Sequence, residues 1–450
     1  MARARARQAL VAAVALAALA CRPAPQQRRP NVIVYLVDTL RADHLGCYGG
    51  RRGTSPRIDG FAARSALFER AVAQSSWTRP AVASILTGLE PHRHGAEQRL
   101  EGLAASFDTL PEILRRAHYE TAAFVSSAVI TAKFGFGQGF DTFEQRVKED
   151  IEPEQPTSAW VNAQALRWLD QRDRGRPFFL FLHTLDPHIP YTPAEAFRRR
   201  LAPDADPRAG AVENVVALRD HLRPTTARDE KELPELYDAE IAGNDAAFGR
   251  LLAELEARDL DEPLLLVFLS DHGEELFDHG GWEHGATLYQ ELVHVPLLLK
   301  LPRGVGAGRR IEETVRQIDV LPTVLDALSL AIPGDLQGRS LLPLLQDQAR
   351  RAPAAFSSLD LDGRRIESVV LGSRKLVHTL AHDRRTVGFE LYDLASDPGE
   401  RRDLSPSAPA AVRGLSWLIE QRARADGPAA PAVDLDPELE RELRALGYLR

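Results

Sequence analysis

Five near-continuous apolar runs constrain what this chain can fold into more than any other feature. They span Asn31–Val37, Ala122–Val125, Phe178–Leu182, Leu264–Leu269 and Val295–Leu299. Runs this short, apolar at both odd and even positions, read as strands covered on both faces, the pattern of a parallel sheet. Helical patterns at Leu110–Arg116, Ser158–Gln171 and Ala239–Ala257 separate them. Such alternation predicts an α/β sheet with helices on both faces. Several runs lead directly into polar residues: Asp38, Ser126, His183 and Asp271. In open α/β sheets, sites form beyond the carboxyl ends of the strands, so these residues are expected to converge.

From about Arg350 the pattern changes. Ala354–Leu359, Ile366–Leu371 and Lys375–Thr379 read as short strands, with Phe389–Leu394 after them. They predict a small C-terminal α+β subdomain with an antiparallel sheet, followed by helices at Pro409–Ala425 and Pro437–Leu446. The expected organisation is a leader (1–21), a Pro-, Gln- and Arg-rich tether (22–30), a main α/β domain (31–350) and a C-terminal subdomain with a helical tail (351–450). Pro203 to Asp229 reads as a polar, irregular surface insertion.

The leader combines a basic start with an apolar run from Ala9 to Ala20, too short to span a membrane and suited to secretion. Ala18-Leu19-Ala20-Cys21 resembles a bacterial lipoprotein cleavage site, with Ala18 where Leu is usual; ordinary signal cleavage nearby is the alternative. The favoured reading makes Cys21 the lipidated N-terminus of an exported protein of the bacterial periplasm or cell envelope, touching membrane only through that lipid. The two cysteines cannot build a disulfide framework. The net charge is −8, and loss of the basic leader makes it more negative, which excludes nucleic acid as a partner class. Hydrophobic residues make up 44 % of the chain, enough for a sizeable core.

Ser76-Trp77-Thr78-Arg79-Pro80-Ala81-Val82-Ala83-Ser84-Ile85-Leu86-Thr87-Gly88 reads as a hydroxyl at a helix start, an early proline and an apolar helix closed by Thr-Gly. Free backbone N–H groups at such a start favour an anion. The stretch resembles the signature of the sulfatase family, within the alkaline phosphatase superfamily: Cys or Ser, any residue, Pro, any residue, Arg, ending in Thr-Gly. Thr78 stands in the nucleophile's place and Val82 in that of the Arg. Asn31–Gly46, Trp77–Gly95, Asp186-Pro187-His188, Ser270–Pro296 and Glu390–Glu400 together carry the resemblance, which implies that family's mixed sheet sandwiched by helices with a small C-terminal subdomain.

The resemblance assigns roles residue by residue. Asp38, Thr78, Asp271 and His272 would hold one divalent ion, with Thr39 where relatives often have a second carboxylate. Mixed oxygen and nitrogen ligands suit Mn²⁺, Zn²⁺, Mg²⁺ or Ca²⁺. Thr78 would be the nucleophile, activated by the ion. His188 would contact the anionic group. His284, where sulfatases often have Lys, would protonate the leaving group. Arg41 would reach the anion or brace Asp38. The Lys and His that sulfatases place after the third strand are missing around Phe124-Val125-Ser126-Ser127, and Ser126 would substitute as a donor.

True sulfatases use a formylglycine made from Cys or Ser. Thr78 cannot form that aldehyde, so none is expected. Threonine here resembles phosphodiesterase and phosphoglycerol-transfer relatives. The expected activity is therefore metal-dependent cleavage of a phosphate ester through a covalent Thr78 intermediate, on a small anionic ester or a glycan or lipid headgroup. The alternatives are a sulfatase proper, a transferase on envelope polymers and a non-catalytic anion-binding protein.

Overall fold

The computed structural model describes residues 29–146, 156–219, 221–346, 348, 352–423 and 430–445. The leader, Cys21 and most of the tether lie outside them. Fifteen strands are present among these residues: β1 Asn31–Val37, β2 Ala66–Val72, β3 Glu120–Val125, β4 Thr142–Gln145, β5 Phe178–Thr184, β6 Leu264–Ser270, β7 Glu275–Leu276, β8 Trp282–Glu283, β9 His294–Val295, β10 Leu297–Lys300, β11 Arg310–Arg316, β12 Ala355–Leu361, β13 Arg364–Leu371, β14 Arg374–Leu380 and β15 Thr386–Asp393. The helices that matter below are α1 Thr78–Thr87, α2 Leu110–Arg116, α3 Thr157–Gln171, α4 Val212–Arg219, α5 Ala227–Ala257, α6 Pro409–Ala423 and α7 Pro437–Ala445.

The large sheet runs β11-β2-β10-β6-β1-β5-β3-β4, with β9 also pairing β2. β1 is parallel to β5 and β6, and β3 is parallel to β5 and β4; β10 alone among these central neighbours runs antiparallel, against β6 and β2. The mixed sheet follows from the apolar runs. Along β1, Val32, Val34 and Leu36 enter one core cluster, while Ile33, Tyr35 and Val37 enter the cluster on the opposite face. Each such side chain contributes roughly 1.5–3 kcal/mol by burial, a margin that offsets the polar residues packed at the strand ends. Val82, in the place of the signature Arg, is buried in the first of these clusters.

Register fixes the edge where the site forms. Leu36 lies opposite His183, Val37 opposite Ser270, and Val125 opposite His183. The backbone carries the alignment one residue further, with Asp38 N–H donating to Thr184 O and Ser126 N–H to His183 O. The strand ends Asp38, Ser126, His183 and Asp271 therefore share one edge, as the alternation predicts.

A second sheet, β12-β13-β14-β15, is antiparallel throughout and is covered by α6. It docks just upstream of α1: Ser358 N–H donates to Gln74 O and Ser357 Oγ to Ala73 O. Behind this seam lies a buried ion pair, Lys375 Nζ to Glu400 Oε1 at 2.8 Å, with both side chains fully inaccessible. Glu400 also accepts from Gln290 N–H at 2.6 Å, tying the second sheet to the segment between β8 and β9. Removing one partner of a buried pair strands the other charge. Glu400→Ala is therefore expected to cost about 3–5 kcal/mol, read as a lower denaturant midpoint; an unchanged midpoint would show that the pair holds nothing.

Two segments differ from the sequence expectation. The stretch read as irregular contains α4, which buries only Val215 and Leu218 and so gives a faint helical stripe. Helix α5 begins at Ala227, not Ala239; the Thr226–Asp229 capping box starts it, and Pro234 inside it masks the continuity.

Candidate active site

Thr78 is the first residue of α1, entered from the extended Trp77, and is fully buried. Its Oγ1 lies 3.2 Å from His272 Nε2. The other ring nitrogen, Nδ1, lies 2.9 Å from Gly273 O, a contact that fixes the proton on Nδ1 and leaves an Nε2 lone pair facing the site. Around that lone pair gather Asp38 Oδ1 at 3.7 Å and Asp271 Oδ2 at 3.5 Å. Asp271 Oδ1 is held by the N–H groups of Thr39 and His272, at 3.2 and 2.9 Å, so Oδ2 is the free oxygen. Gly273 is required by close approach: a Cβ there would sit 1.9 Å from Glu291 O.

Asp38, Asp271 and His272 present ligand atoms all within 4.8 Å of one another. Both oxygens of Asp38 and Oδ2 of Asp271 are buried without a hydrogen-bond partner. Burial, then the neighbouring Asp271 and Glu274, push the Asp38 carboxyl well above the usual range. Burial pulls the His272 imidazole down, keeping it neutral and able to ligate. Stranded buried carboxylates of this kind cost several kcal/mol each unless compensated. A divalent cation compensates them, and the donor set fits one.

His284 and His188 stand beside this cluster. The His284 ring centroid is 4.6 Å from that of His272 and 5.0 Å from that of His188. Gly285 N–H donates to Ser76 O, which pins the turn bearing His284 against the start of α1. Burial lowers the His284 imidazole to about 4. His188 Nδ1 is 2.6 Å from Ile189 O. Ser126 has a buried Oγ without a hydrogen-bond partner at the same strand edge.

Arg41 departs from its expected role. Its guanidinium is engaged by Asp43 and Asp278 and by Glu274 O, so it neither braces Asp38 nor faces the anion site. The physical reason is local: two carboxylates close to the chain at Asp43 and across the fold at Asp278 give it a charge-assisted fork.

Two residues absent from the expected site, Glu274 and Arg79, belong to it by position, and His183, expected at this strand edge, takes its place beside Asp38. His183, which follows the apolar run Phe178–Leu182 on β5, lies 3.5 Å from Asp38 Oδ2, with burial lowering it to about 4. Its strand-end position was the available signal. Glu274, fully buried, contacts His284 Nδ1 at 2.8 Å and accepts from Tyr191 OH at 3.1 Å. Arg79 stacks 3.6 Å over Phe134 and donates to Val129 O, Gln98 O and Glu101 O, holding the 98–101 loop beside Trp77.

A cavity of about 480 Å³ opens over Trp77, His188, Trp282 and His284. Arg99, Arg219 and Arg364 also line it, and Leu361 and Asp362 bring the tip of the β12–β13 hairpin to its wall. Arg99 pairs with Asp362 across that wall. Trp77, which precedes Thr78 in the chain, and His284, which stacks on His272, both line this cavity, so it adjoins the cluster.

The sulfatase family model matches residues 30–330, and that for the C-terminal region of N-sulphoglucosamine sulphohydrolase matches residues 278–411. An N-acetylglucosamine-6-O-sulfatase of Bacteroides thetaiotaomicron is 24 % identical, the alignment covering 91 % of this chain and 89 % of the relative. Arylsulfatase K of Mus musculus is 24 % identical over 92 % of this chain and 83 % of its own length. Among solved structures, a protein in complex with its substrate D-glucosamine-2-N,6-O-disulfate shares the fold at TM-score 0.74 and 21 % identity, covering 88 % of this chain and 98 % of that one. The phosphonate monoester hydrolase of Agrobacterium radiobacter shares it at TM-score 0.73 and 23 % identity, covering 88 % and 96 %.

Proposed function

The chain belongs to the sulfatase family of ester hydrolases, and from that premise we propose a divalent-metal-dependent enzyme that cleaves phosphate esters through a covalent Thr78 intermediate. The observation that carries the reading is the Thr78 hydroxyl at a helix start, 3.2 Å from His272 Nε2 and among stranded carboxylates. Asp38, Asp271 and His272 would hold the cation, with Thr78 completing the set. When bound, that ion supplies Lewis-acid stabilisation of negative charge on the reacting oxygens. The Thr78 hydroxyl would lose its proton to solvent water in that field and enter the reaction deprotonated. Thr78 Oγ1 forms a bond to phosphorus while the bond to the leaving oxygen breaks. His284 gives its Nε2 proton to that oxygen, and His188 contacts the anionic group. Water then cleaves the threonine ester, returning its proton to His284.

Thr78 cannot become a formylglycine, which favours the phosphoryl reading. A phosphonate monoester hydrolase among the structural neighbours is compatible with it. The second reading, a sulfate ester, is favoured by the curated relatives, several of them sulfatases. In either case the pocket arginines suit an anionic glycan or headgroup, and Trp77 and Trp282 offer flat apolar faces to a ring. The expected setting is export to the periplasm or envelope with a lipid on Cys21; among the described residues, no helix is long and apolar enough to cross a membrane.

Aryl phosphate monoester, phosphate diester and aryl sulfate, assayed side by side with Mn²⁺, Zn²⁺, Mg²⁺ and Ca²⁺, test the reading. One of the two phosphate esters is expected to turn over faster than the sulfate with at least one ion. Sulfate turnover well above both would overturn the phosphate preference.

A further inference from the structure

The second sheet reaches the substrate cavity through one hairpin tip. Asp362 and Gly363 alone join β12 to β13, both at positive φ (52° and 76°), the backbone of a two-residue hairpin turn. Leu361 and Arg364 are therefore directly opposed and project from the same face of the hairpin. Leu361 shows which face that is. A Cβ on Gly285 would lie 3.3 Å from Leu361 Cδ2 and 3.7 Å from Trp77 Cβ, so Leu361 packs on the turn that carries His284, beside the start of α1. Arg364 shares that face, and both residues line the cavity.

The tip is held in place by the loop that Arg79 grips from α1. Ser358 Oγ donates to Glu97 Oε1 at 3.3 Å, Gln98 Nε2 to Asp360 Oδ1 at 2.6 Å and Arg99 Nε to Asp362 Oδ1 at 2.8 Å. Three consecutive loop residues thus meet every second residue along β12 and into its turn. This arrangement decides which positive charge is left for a ligand. Arg99 gives its fork to Asp362, and Arg365 pairs with Asp360 at 3.3 Å. Arg364 carries no ion pair among the described residues. The cavity it lines, about 480 Å³, has far more room than a tetrahedral ester group needs, and Trp77, Phe277 and Trp282 share its wall.

We propose that Arg364 is a specificity-determining residue that pairs with a second anionic group, carried by the alcohol part of the substrate and separate from the ester being cleaved. This rests on the ester-hydrolase reading and holds for a phosphate or a sulfate ester alike. The substrate class is then an ester of a ring alcohol that bears a carboxylate, phosphate or sulfate of its own. The ring lies along the aromatic wall, the cleaved group reaches Thr78, and the second anion meets the hairpin tip. A guanidinium fork matches each of these anions. An exposed ion pair alone contributes little. A substrate already held by its ester and ring has lost most of its freedom before the anion meets Arg364, so the contact adds to affinity more fully.

Two chromogenic esters of the same acid test this: the 4-nitrophenyl ester and the 3-carboxy-4-nitrophenyl ester, which adds one carboxylate to the ring and leaves the phenol close in acidity. The readout is the ratio of kcat/KM for the carboxylated ester to that for the plain one, on the metal-loaded full chain. The wild type is expected to favour the carboxylated ester by about tenfold, the scale of one hydrogen bond to a charged group. Arg364→Met is expected to abolish that preference. Arg364→Lys is expected to keep part of it, because the charge remains and the fork is lost. Arg365→Met alters the next residue along β13, whose side chain points to the other face, and is expected to keep the wild-type ratio. A wild type without the preference, or a preference that survives Arg364→Met, overturns the proposal. Equal losses in Arg364→Met and Arg365→Met would reveal a diffuse field of the hairpin in place of a contact, and overturn it too. If the wild type turns over neither ester with any of the four ions, the ester-hydrolase reading itself fails and takes this inference with it.

Discussion

Thr78→Ala is expected to lower kcat/KM toward the best ester by about 10⁴-fold or more, the scale seen when a covalent nucleophile is removed. The hydroxyl sits at the first residue of a fully buried helix, so no neighbouring side chain can move in to replace it. Ser127 and Ser126 lie at the end of β3, on the far side of β5 from β1. The fold is expected to survive, because the change removes a few atoms and one contact to His272, a loss of about 1 kcal/mol. Metal content should persist, since Asp38, Asp271 and His272 remain. Thr78→Ser restores a hydroxyl at the same place and should recover much of the activity. Steady-state kinetics with a folded, metal-replete Ala variant check this. Activity within a few-fold of wild type would remove Thr78 from the reaction.

Asp271→Asn carries the second large effect, and its sign differs between metal-free and metal-loaded protein. In the metal-free chain, Asp271 raises the Asp38 carboxyl by repulsion, after burial itself. Replacing one of the two buried carboxylates relieves that repulsion, so the metal-free variant is expected to melt at a higher midpoint than wild type. With metal the order reverses. A ligand present at 100 times its Kd stabilises the folded state by about 2.7 kcal/mol, and the wild type gains this while the variant does not. Turnover falls with the ion. Thermal melts with chelator and with added Mn²⁺ or Zn²⁺ read both halves. A wild type whose midpoint ignores metal would contradict the cation site.

The path from sequence to site was uneven for physical reasons. Strand runs with apolar residues at every position announce burial on both faces, and that places Asp38, His183, Ser126 and Asp271 at one edge. The turn at Gly273 is equally legible, because no side chain fits against Glu291 O. Glu274 was not, although it adjoins that turn. Its partners, Tyr191 and His284, come from distant segments, and nothing in a lone Glu after Gly tells whether it faces water. Arg41 misled for the converse reason. It lies close to Asp38 in the chain, yet Asp278, 237 residues away, claims its guanidinium. The pocket arginines come from three separate parts of the chain, including the β12–β13 hairpin, and only the docking of the second sheet makes them one wall.

The claim at the centre of this account is that Thr78 carries the transferred group. Acid quench of the metal-loaded enzyme during turnover of its best phosphate ester, followed by mass spectrometry of the peptide that contains Thr78, addresses it without intermediaries. The expected result is a phosphoryl group on Thr78 that is lost when substrate is exhausted and never forms in Thr78→Ala. An unmodified Thr78 peptide, quenched at times when product is accumulating in a burst, would contradict it.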